Sequence, residues 1–98
     1  EDYLSRALGI EAGKEPQEVC IRFDRHQARW IRERRWHHTQ MIESQDDGSI
    51  ILRMTVSGLG EVKRWVLGFG RHAEVLYPEK LREELMKEAE NMLSTYMK

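Results

Sequence analysis

The sequence contains a single cysteine, Cys20, and this scarcity excludes several kinds of protein. One cysteine cannot form an internal disulfide, and it cannot supply the ligands of a multi-cysteine metal site. The chain also lacks any apolar run close to the roughly 18 residues that a membrane span needs, and no signal-peptide pattern opens it. We therefore expect a protein of the reducing cytoplasm that has no contact with a membrane.

An excess of charge of one sign is missing as well. The 16 basic and 17 acidic side chains leave a formal net charge of −1, which gives no indication of a nucleic-acid or membrane partner for the whole chain. Charged residues nevertheless make up 34% of the sequence, above the roughly 25% of an ordinary soluble domain, so we expect a strongly hydrated surface. A length of 98 residues fits one domain with its own core.

The first 17 residues differ in character from the rest. Residues 2–8 carry apolar side chains at helical spacing, and residues 11–17 combine glycine, proline and charge, which is typical of a linker. We predict a short N-terminal helix and linker over residues 1–17, and a separate domain over residues 18–98. Because the chain opens on Glu1 rather than methionine, we expect it to be a piece of a longer protein.

The stretch from residue 62 to residue 78 organises the predicted fold. It opens with apolar side chains at the three-and-four spacing of one helix face: Val62, Trp65, Val66 and Phe69. We predict that Gly70 ends this helix, because glycine takes the left-handed conformation without the steric cost of a Cβ. A strand over residues 73–77 should follow, with Val75 and Tyr77 toward the core and Leu76 toward the opposite face.

The remaining predicted elements surround this unit. They are a strand over residues 18–23, a helix from Asp24 to about Arg34, a loop over residues 34–39, a hairpin of residues 40–45 and 49–56 around Asp47 and Gly48, and a last helix from Pro78 toward Tyr96. The order strand, helix, strand, strand, helix, strand predicts an α+β domain of the ferredoxin-like βαββαβ kind. Such a domain has a four-stranded antiparallel sheet with two helices on one face. The C-terminal helix and the short N-terminal helix are additions to it.

The charge balance breaks only over residues 22–38, where six arginines accompany two acids. Arginines beside exposed aromatic rings suit phosphate groups and stacked bases, so this segment is a candidate site for single-stranded nucleic acid or a small anionic effector. Its candidate contact residues are Arg25, Arg29, Arg32, Arg34, Arg35, Trp36 and His37. The alternative is a solvated helix face whose arginines pair with acids of the last helix, while Trp30 and Trp36 belong to the core.

No catalytic, cofactor-binding or metal-binding set is recognisable in the sequence. The four histidines lack the spacing of metal ligands, and Cys20 and His26 lack that of a nucleophile with its base. Gly58 and Gly60 precede a helix but lack the lysine and hydroxyl residue of a nucleotide loop. We therefore expect a protein that is not an enzyme and needs no cofactor.

A docking surface is predicted instead. The sheet face away from the helices should show Cys20, Arg22, Ile51, Arg53, Thr55 and Leu76. With no aromatic ring among them, we do not expect the base stacking of RNA-binding sheets. The last helix carries an apolar stripe wider than one sheet contact requires, which favours a further contact. The candidate docking or dimer residues are Arg22, Ile51, Arg53, Leu76, Met86, Leu93 and Met97.

Four segments together resemble the WCX domain, the C-terminal extension that follows the WYL domain in helix-turn-helix (DeoR-like) transcriptional regulators of bacteria. They are YLSRALGI, VCIRFDRHQARWIRERRWHHTQ, DGSIILRMTV and VKRWVLGFGRHAEVLYPEKLREEL. The resemblance implies a cytoplasmic regulator with a DNA-binding winged helix-turn-helix, a WYL β-barrel that senses an effector, and this extension, which helps the regulator dimerise. It also implies that residues 1–17 come from the preceding WYL domain. The WYL tripeptide itself is absent, so no effector-contacting residue can be transferred.

Two functions follow from these observations. The first is a non-catalytic regulatory and dimerisation module that pairs with a second copy, serves the WYL and helix-turn-helix domains of its own chain, and reaches DNA through the parent protein. The alternative is direct binding of single-stranded nucleic acid or an anionic ligand by residues 25–38.

Overall fold

The computed structural model describes residues 15–98, so the predicted N-terminal helix of residues 2–8 lies outside the described residues. The elements are β1 (Gln17–Phe23), α1 (Arg25–Arg32), β2 (Met41–Ser44), β3 (Ile50–Val56), α2 (Gly60–Leu67), a 3-10 turn (Gly70–His72), β4 (Ala73–Tyr77) and α3 (Glu79–Tyr96). The sheet order is β2-β3-β1-β4, and every neighbouring pair is antiparallel. The predicted α+β class and four-stranded antiparallel sheet are confirmed.

The core lies on one face of this sheet. In β1 and β3 the alternating apolar residues pair across the strands, with Phe23 opposite Ile50 and Ile21 opposite Leu52. All four are fully buried. The helices add buried side chains to the same cluster, which are Ala28 and Ile31 of α1, Val62 and Val66 of α2, and Leu81 of α3. Burial of each large aliphatic or aromatic side chain stabilises the fold by about 1.5–3 kcal/mol.

Helix α1 begins where the sequence predicts it. Asp24 has extended backbone angles, and its carboxylate accepts a hydrogen bond from the backbone N–H of Gln27 at 3.0 Å. This is the usual arrangement of an N-cap, in which a side chain satisfies a backbone donor that the helix leaves open. The helix ends at Arg32, two residues before the predicted end.

Helix α2 ends earlier than predicted. Its last residue is Leu67 and its cap residue is Gly68, whose N–H bonds back to the Trp65 carbonyl oxygen at 3.2 Å. Gly70 does adopt the left-handed conformation, with φ 60°, but it opens the 3-10 turn instead of closing the helix. Phe69 therefore lies outside α2, although its ring still packs edge-on against Phe23 at 5.2 Å.

The prediction that Tyr77 faces the core is wrong. Ile21 pairs with Val75, whereas the preceding Cys20 pairs with Tyr77, so the register shifts and Leu76 is the extra residue of β4. Such a bulge changes which side chains share a face. Tyr77 therefore lies on the open face of the sheet with Cys20, and it is 52% exposed.

The hairpin turn generates a first prediction, Gly48→Ala. Gly48 has φ 90°, and a Cβ on it would lie 2.7 Å from Cδ and 2.8 Å from Cγ of Arg25. We expect a loss of about 1–3 kcal/mol in the free energy of unfolding, measured by urea denaturation, because the residue would be strained as well as crowded. The matched control is Gly60→Ala, since Gly60 has φ below zero and no heavy atom within 4 Å of its added Cβ. An equal effect of the two substitutions would contradict the prediction.

Candidate interaction surfaces

The arginines of α1 lie along one side of the helix, above the buried Ala28 and Ile31. Arg25, Arg29 and Arg32 are spaced by four and three residues, which places them in one stripe. Two of them contact the β2–β3 hairpin. The Arg32 guanidinium donates to the Ser44 hydroxyl at 2.7 Å, and the stem of Arg25 lies over Gly48. These two arginines therefore help to hold the hairpin on the helix.

Arg29 and Trp30 form the exposed part of this segment. The Arg29 guanidinium lies 4.9 Å from the centre of the Trp30 ring, and Trp30 is 49% exposed. The alternative in which Trp30 belongs to the core is therefore wrong for this residue. No acid occurs between residues 25 and 32, so α1 itself carries a positive charge.

The loop after α1 packs inward. Trp36 is only 8% exposed, its indole N–H donates to the Ile31 carbonyl oxygen at 2.8 Å, and its ring lies 5.0 Å from that of Trp65. His37 is 4% exposed, and its Nδ1 lies 2.8 Å from the Thr39 hydroxyl. The core alternative thus holds for Trp36, although it fails for Trp30.

Two more arginines of the predicted site belong to this loop. The Arg34 guanidinium lies 5.4 Å from the centre of the Trp36 ring. Arg35 donates to the carbonyl oxygen of His38 at 3.4 Å. The seven predicted residues are therefore not gathered around one pocket, because two are buried and others contact the hairpin or the loop.

The open face of the sheet is covered by ion pairs. Arg53 donates to Glu43 at 3.2 Å, which raises the pKa of Arg53, and also to the Cys20 sulfur at 3.1 Å. Arg22 lies between Asp47 and Glu74. The prediction that no aromatic ring occurs here is wrong, because the shifted register adds Tyr77. Since both arginines have acidic partners, this face presents a mixed and nearly neutral surface.

Helix α3 leaves the core after its second turn. Leu81 is buried and Leu85 half-buried, and Arg82 donates to the Val75 carbonyl oxygen at 2.7 Å, which fixes the start of the helix on β4. Every residue from position 89 onward is exposed. The exposed apolar side chains are Met86 (56%), Met92, Leu93 (62%), Tyr96 (85%) and Met97. Three of them, Met86, Leu93 and Met97, belong to the predicted docking set.

An apolar groove runs beside this helix, and sequence reasoning missed it. Its volume is about 490 Å³, and it is lined mainly by Val66, Leu67, Val75, Leu85, Met86 and Met92. The groove exists because α2, β4 and α3, which follow one another in the chain, pack side by side along its length. Only the width of the apolar stripe on α3 could have indicated it.

A further contact that the sequence did not indicate joins Asp24 to the 3-10 turn. His72 Nδ1 lies 2.7 Å from the Asp24 carboxylate, and this hydrogen bond lowers the pKa of Asp24. The ring of His26 stacks on that of His72 at 4.9 Å. Asp24 therefore caps α1 and ties it to the segment before β4.

The histidine, cysteine and acidic side chains of residues 15–98 do not form a metal site. No group of three or more histidine, cysteine, aspartate or glutamate side chains there is arranged to hold a metal ion. Within the same range, no helix combines the length and the apolar character that crossing a bilayer demands.

The hairpin turn also generates a pH prediction. Hydrogen bonds from the Ser49 hydroxyl and backbone N–H, and then Arg22, lower the pKa of Asp47 from 3.8 to about 2. A depressed pKa in the folded state means that the carboxylate stabilises the fold above pH 4, and that this contribution is lost as the pH falls from about 4 to about 2. Urea unfolding of Asp47→Asn should therefore show lower stability at pH 6 and a shallower decline below pH 4.

The matched control is Asp46→Asn. The Asp46 side chain makes no hydrogen bond or ion pair with the described part of the chain, so this variant should keep the wild-type decline. Parallel acid profiles for the wild-type chain and Asp47→Asn would contradict the assignment.

The chain matches a known domain family. A family model, the WCX domain, matches residues 15–93, which include every described strand and helix apart from the end of α3. No curated protein matches the chain. The family resemblance found in the sequence is confirmed. Because the match spans most of the chain, this protein belongs to the WCX domain family, the C-terminal extension of WYL-type transcriptional regulators.

Proposed function

We propose that this domain is a non-catalytic regulatory and dimerisation module of a cytoplasmic, DNA-binding WYL-type regulator, and that it supports effector sensing by the adjacent WYL domain. The family membership supports the regulatory context. The observation that carries the dimerisation proposal is the exposed apolar side of α3. We also assign the domain to the ferredoxin-like class, an interpretation supported by the element order and by the sheet order β2-β3-β1-β4.

Exposure of the apolar side of α3 to water is unfavourable in free energy. Each exposed leucine or methionine that becomes buried in a contact contributes about 1.5–3 kcal/mol, and here four such side chains and Tyr96 lie within about three helical turns. Contiguous apolar surface of this kind usually marks a protein contact. The open sheet face is the weaker candidate, because its arginines are paired with acids of the same chain.

Self-association can be measured by sedimentation of the chain over a range of concentrations. We expect a dimer at micromolar concentration, and Leu93→Asp should weaken it at least tenfold, because a charge would be buried in the contact. Leu76→Asp is the matched control on the open sheet face, since Leu76 is also exposed, and it should leave the dimer unchanged. A chain that stays monomeric at high micromolar concentration would refute the proposal.

A second function is favoured by one observation, the exposed stack of Arg29 on Trp30. This pair suits a base and its phosphate, because an aromatic ring stacks on any base and arginine neutralises the backbone. The surrounding stretch of α1 contains no acid that would repel an anion. We therefore propose single-stranded nucleic acid, or a small anionic effector, as a ligand of this surface.

Fluorescence anisotropy of a labelled oligothymidylate tests this second function at 50 and 200 mM salt. We expect affinity to fall steeply with salt, and Trp30→Ala to weaken binding by about tenfold, because stacking on one base contributes about 1–3 kcal/mol. Arg29→Gln should weaken binding as well. Arg64→Gln is the control. Arg64 is also an exposed arginine, but it lies on α2, where it pairs with Glu61 of the same helix. Absence of binding at 50 mM salt would eliminate this function.

A further inference from the structure

The exposed apolar residues of α3 follow the spacing of a helix–helix seam. Met86, Ala89, Leu93 and Tyr96 are separated by three, four and three residues, which is the repeat that keeps side chains along one line between two paired helices. All four are exposed. A helix that only covers a sheet needs no row of apolar side chains on the side that faces solvent. The spacing therefore indicates a second helix as the occupant of this surface.

The two flanks of this seam differ. On the side toward the apolar groove lie Leu85 and Met92, both of which line it. On the opposite side lie Glu83 and Glu90, which are exposed. A helix lying on the seam would thus contact the groove on one side and leave its other side in water. The groove and the seam form one continuous surface.

We propose that α3 pairs with α3 of a second copy of this chain in antiparallel orientation. This inference rests on the dimerisation function proposed above and adds the partner element, the direction and the register. The second copy fits because it brings the same exposed stripe, which has no other cover in the described chain. The contact is then isologous, as in most homodimers.

The stripe supplies most of the area that such a dimer needs. Burial of the four large exposed apolar side chains on the seam and its groove side, Met86, Met92, Leu93 and Tyr96, would remove on the order of 500 Å² per copy, about two thirds of the roughly 800 Å² per partner of a standard-size interface. Contacts of the second helix with the groove would add to this area.

The antiparallel direction follows from the sizes of the side chains along the seam. In the antiparallel register centred on Asn91, Ala89 lies opposite the second copy's Leu93, and Met86 lies opposite the second copy's Tyr96. Small then faces large in each central layer, which fills the space between the helices. A parallel pair would place Ala89 against Ala89 and leave a gap beside Leu93.

The same register places like charges together on one flank. Glu90 lies next to the twofold axis and therefore faces the second copy's Glu90, whereas Met92 faces Met92 on the groove side. Two carboxylates so placed repel each other, which opposes dimerisation. In a parallel pair, Glu90 would instead lie beside the second copy's Leu85.

Disulfide trapping tests the direction and register. Ala89→Cys and Leu93→Cys chains, oxidised separately, should give little covalent dimer, whereas an equimolar mixture should give the mixed dimer in most of the material. The native Cys20 is buried, so the unsubstituted chain should remain uncrosslinked under the same conditions. A parallel pair would give the reverse pattern, in which each variant crosslinks to itself.

Neutralising the facing carboxylates supplies a second measurement. Glu90→Gln should tighten the sedimentation dimer about two- to fivefold at low salt, and the gain should shrink at high salt. Glu84→Gln is the matched control on the far side of α3, and it should change the dimer constant by less. An unchanged or weaker dimer for Glu90→Gln would overturn the register.

The outcomes separate this inference from the dimerisation proposal. A monomeric wild-type chain would refute both, and would leave the surface to another domain of the parent protein. A dimer that is sensitive to Leu93→Asp but shows no mixed Ala89–Leu93 disulfide would keep the dimerisation function and overturn the antiparallel register. A dimer insensitive to Leu93→Asp would place the contact elsewhere on the domain.

Discussion

The apolar layer between β1 and β3 determines where the rest of the domain can lie. Phe23 against Ile50 and Ile21 against Leu52 place large side chains on one face of the two central strands, and a strand that alternates in this way can bury only one face. The buried residues of the three helices pack against this face. The opposite face is thereby left to polar residues, and the register of the same two strands decides which ones.

On that opposite face, acidic side chains of the same domain neutralise the arginines. Arg22 and Arg53 come from the two central strands, and their acidic partners come from β2, the hairpin turn and β4. Neutralisation inside the domain removes the reason for an anion to bind there. The arginines of α1 have no acid in their own helix, and the surfaces of the molecule thus divide into a neutral sheet, a positive helix and an apolar helix.

Local patterns predicted most of the fold because they depend on neighbouring residues. The alternation in β1 and β3, the Asp24 cap and the glycine turn at Gly48 are of this kind, and the structure has each of them. The errors concern features decided by distant parts of the chain. The face of Tyr77 depends on the pairing of β4 with β1, and Trp30 lies outside the core because Ala28 and Ile31 alone form the buried side of α1.

The candidate sites were harder to predict for the same reason. A run of arginines shows composition, but it does not show that Arg32 reaches Ser44 or that Trp36 bonds to the backbone of Ile31. The hydrogen bond between Asp24 and His72 joins residues 48 positions apart and has no local pattern. The apolar stripe of α3 was visible in the sequence, whereas the groove beside it required three elements to meet.

The bulge at Leu76 has a consequence for the behaviour of the domain at high concentration. β4 is an outer strand of the sheet, and an outer strand offers unpaired backbone groups on which a foreign strand can grow. An extra residue interrupts the even spacing of those groups, and the other outer strand, β2, is only four residues long. Neither outer strand, β2 or β4, is therefore a good template for fibril growth. A crowded solution of the domain should therefore form discrete assemblies through its helices and should not extend the sheet from copy to copy.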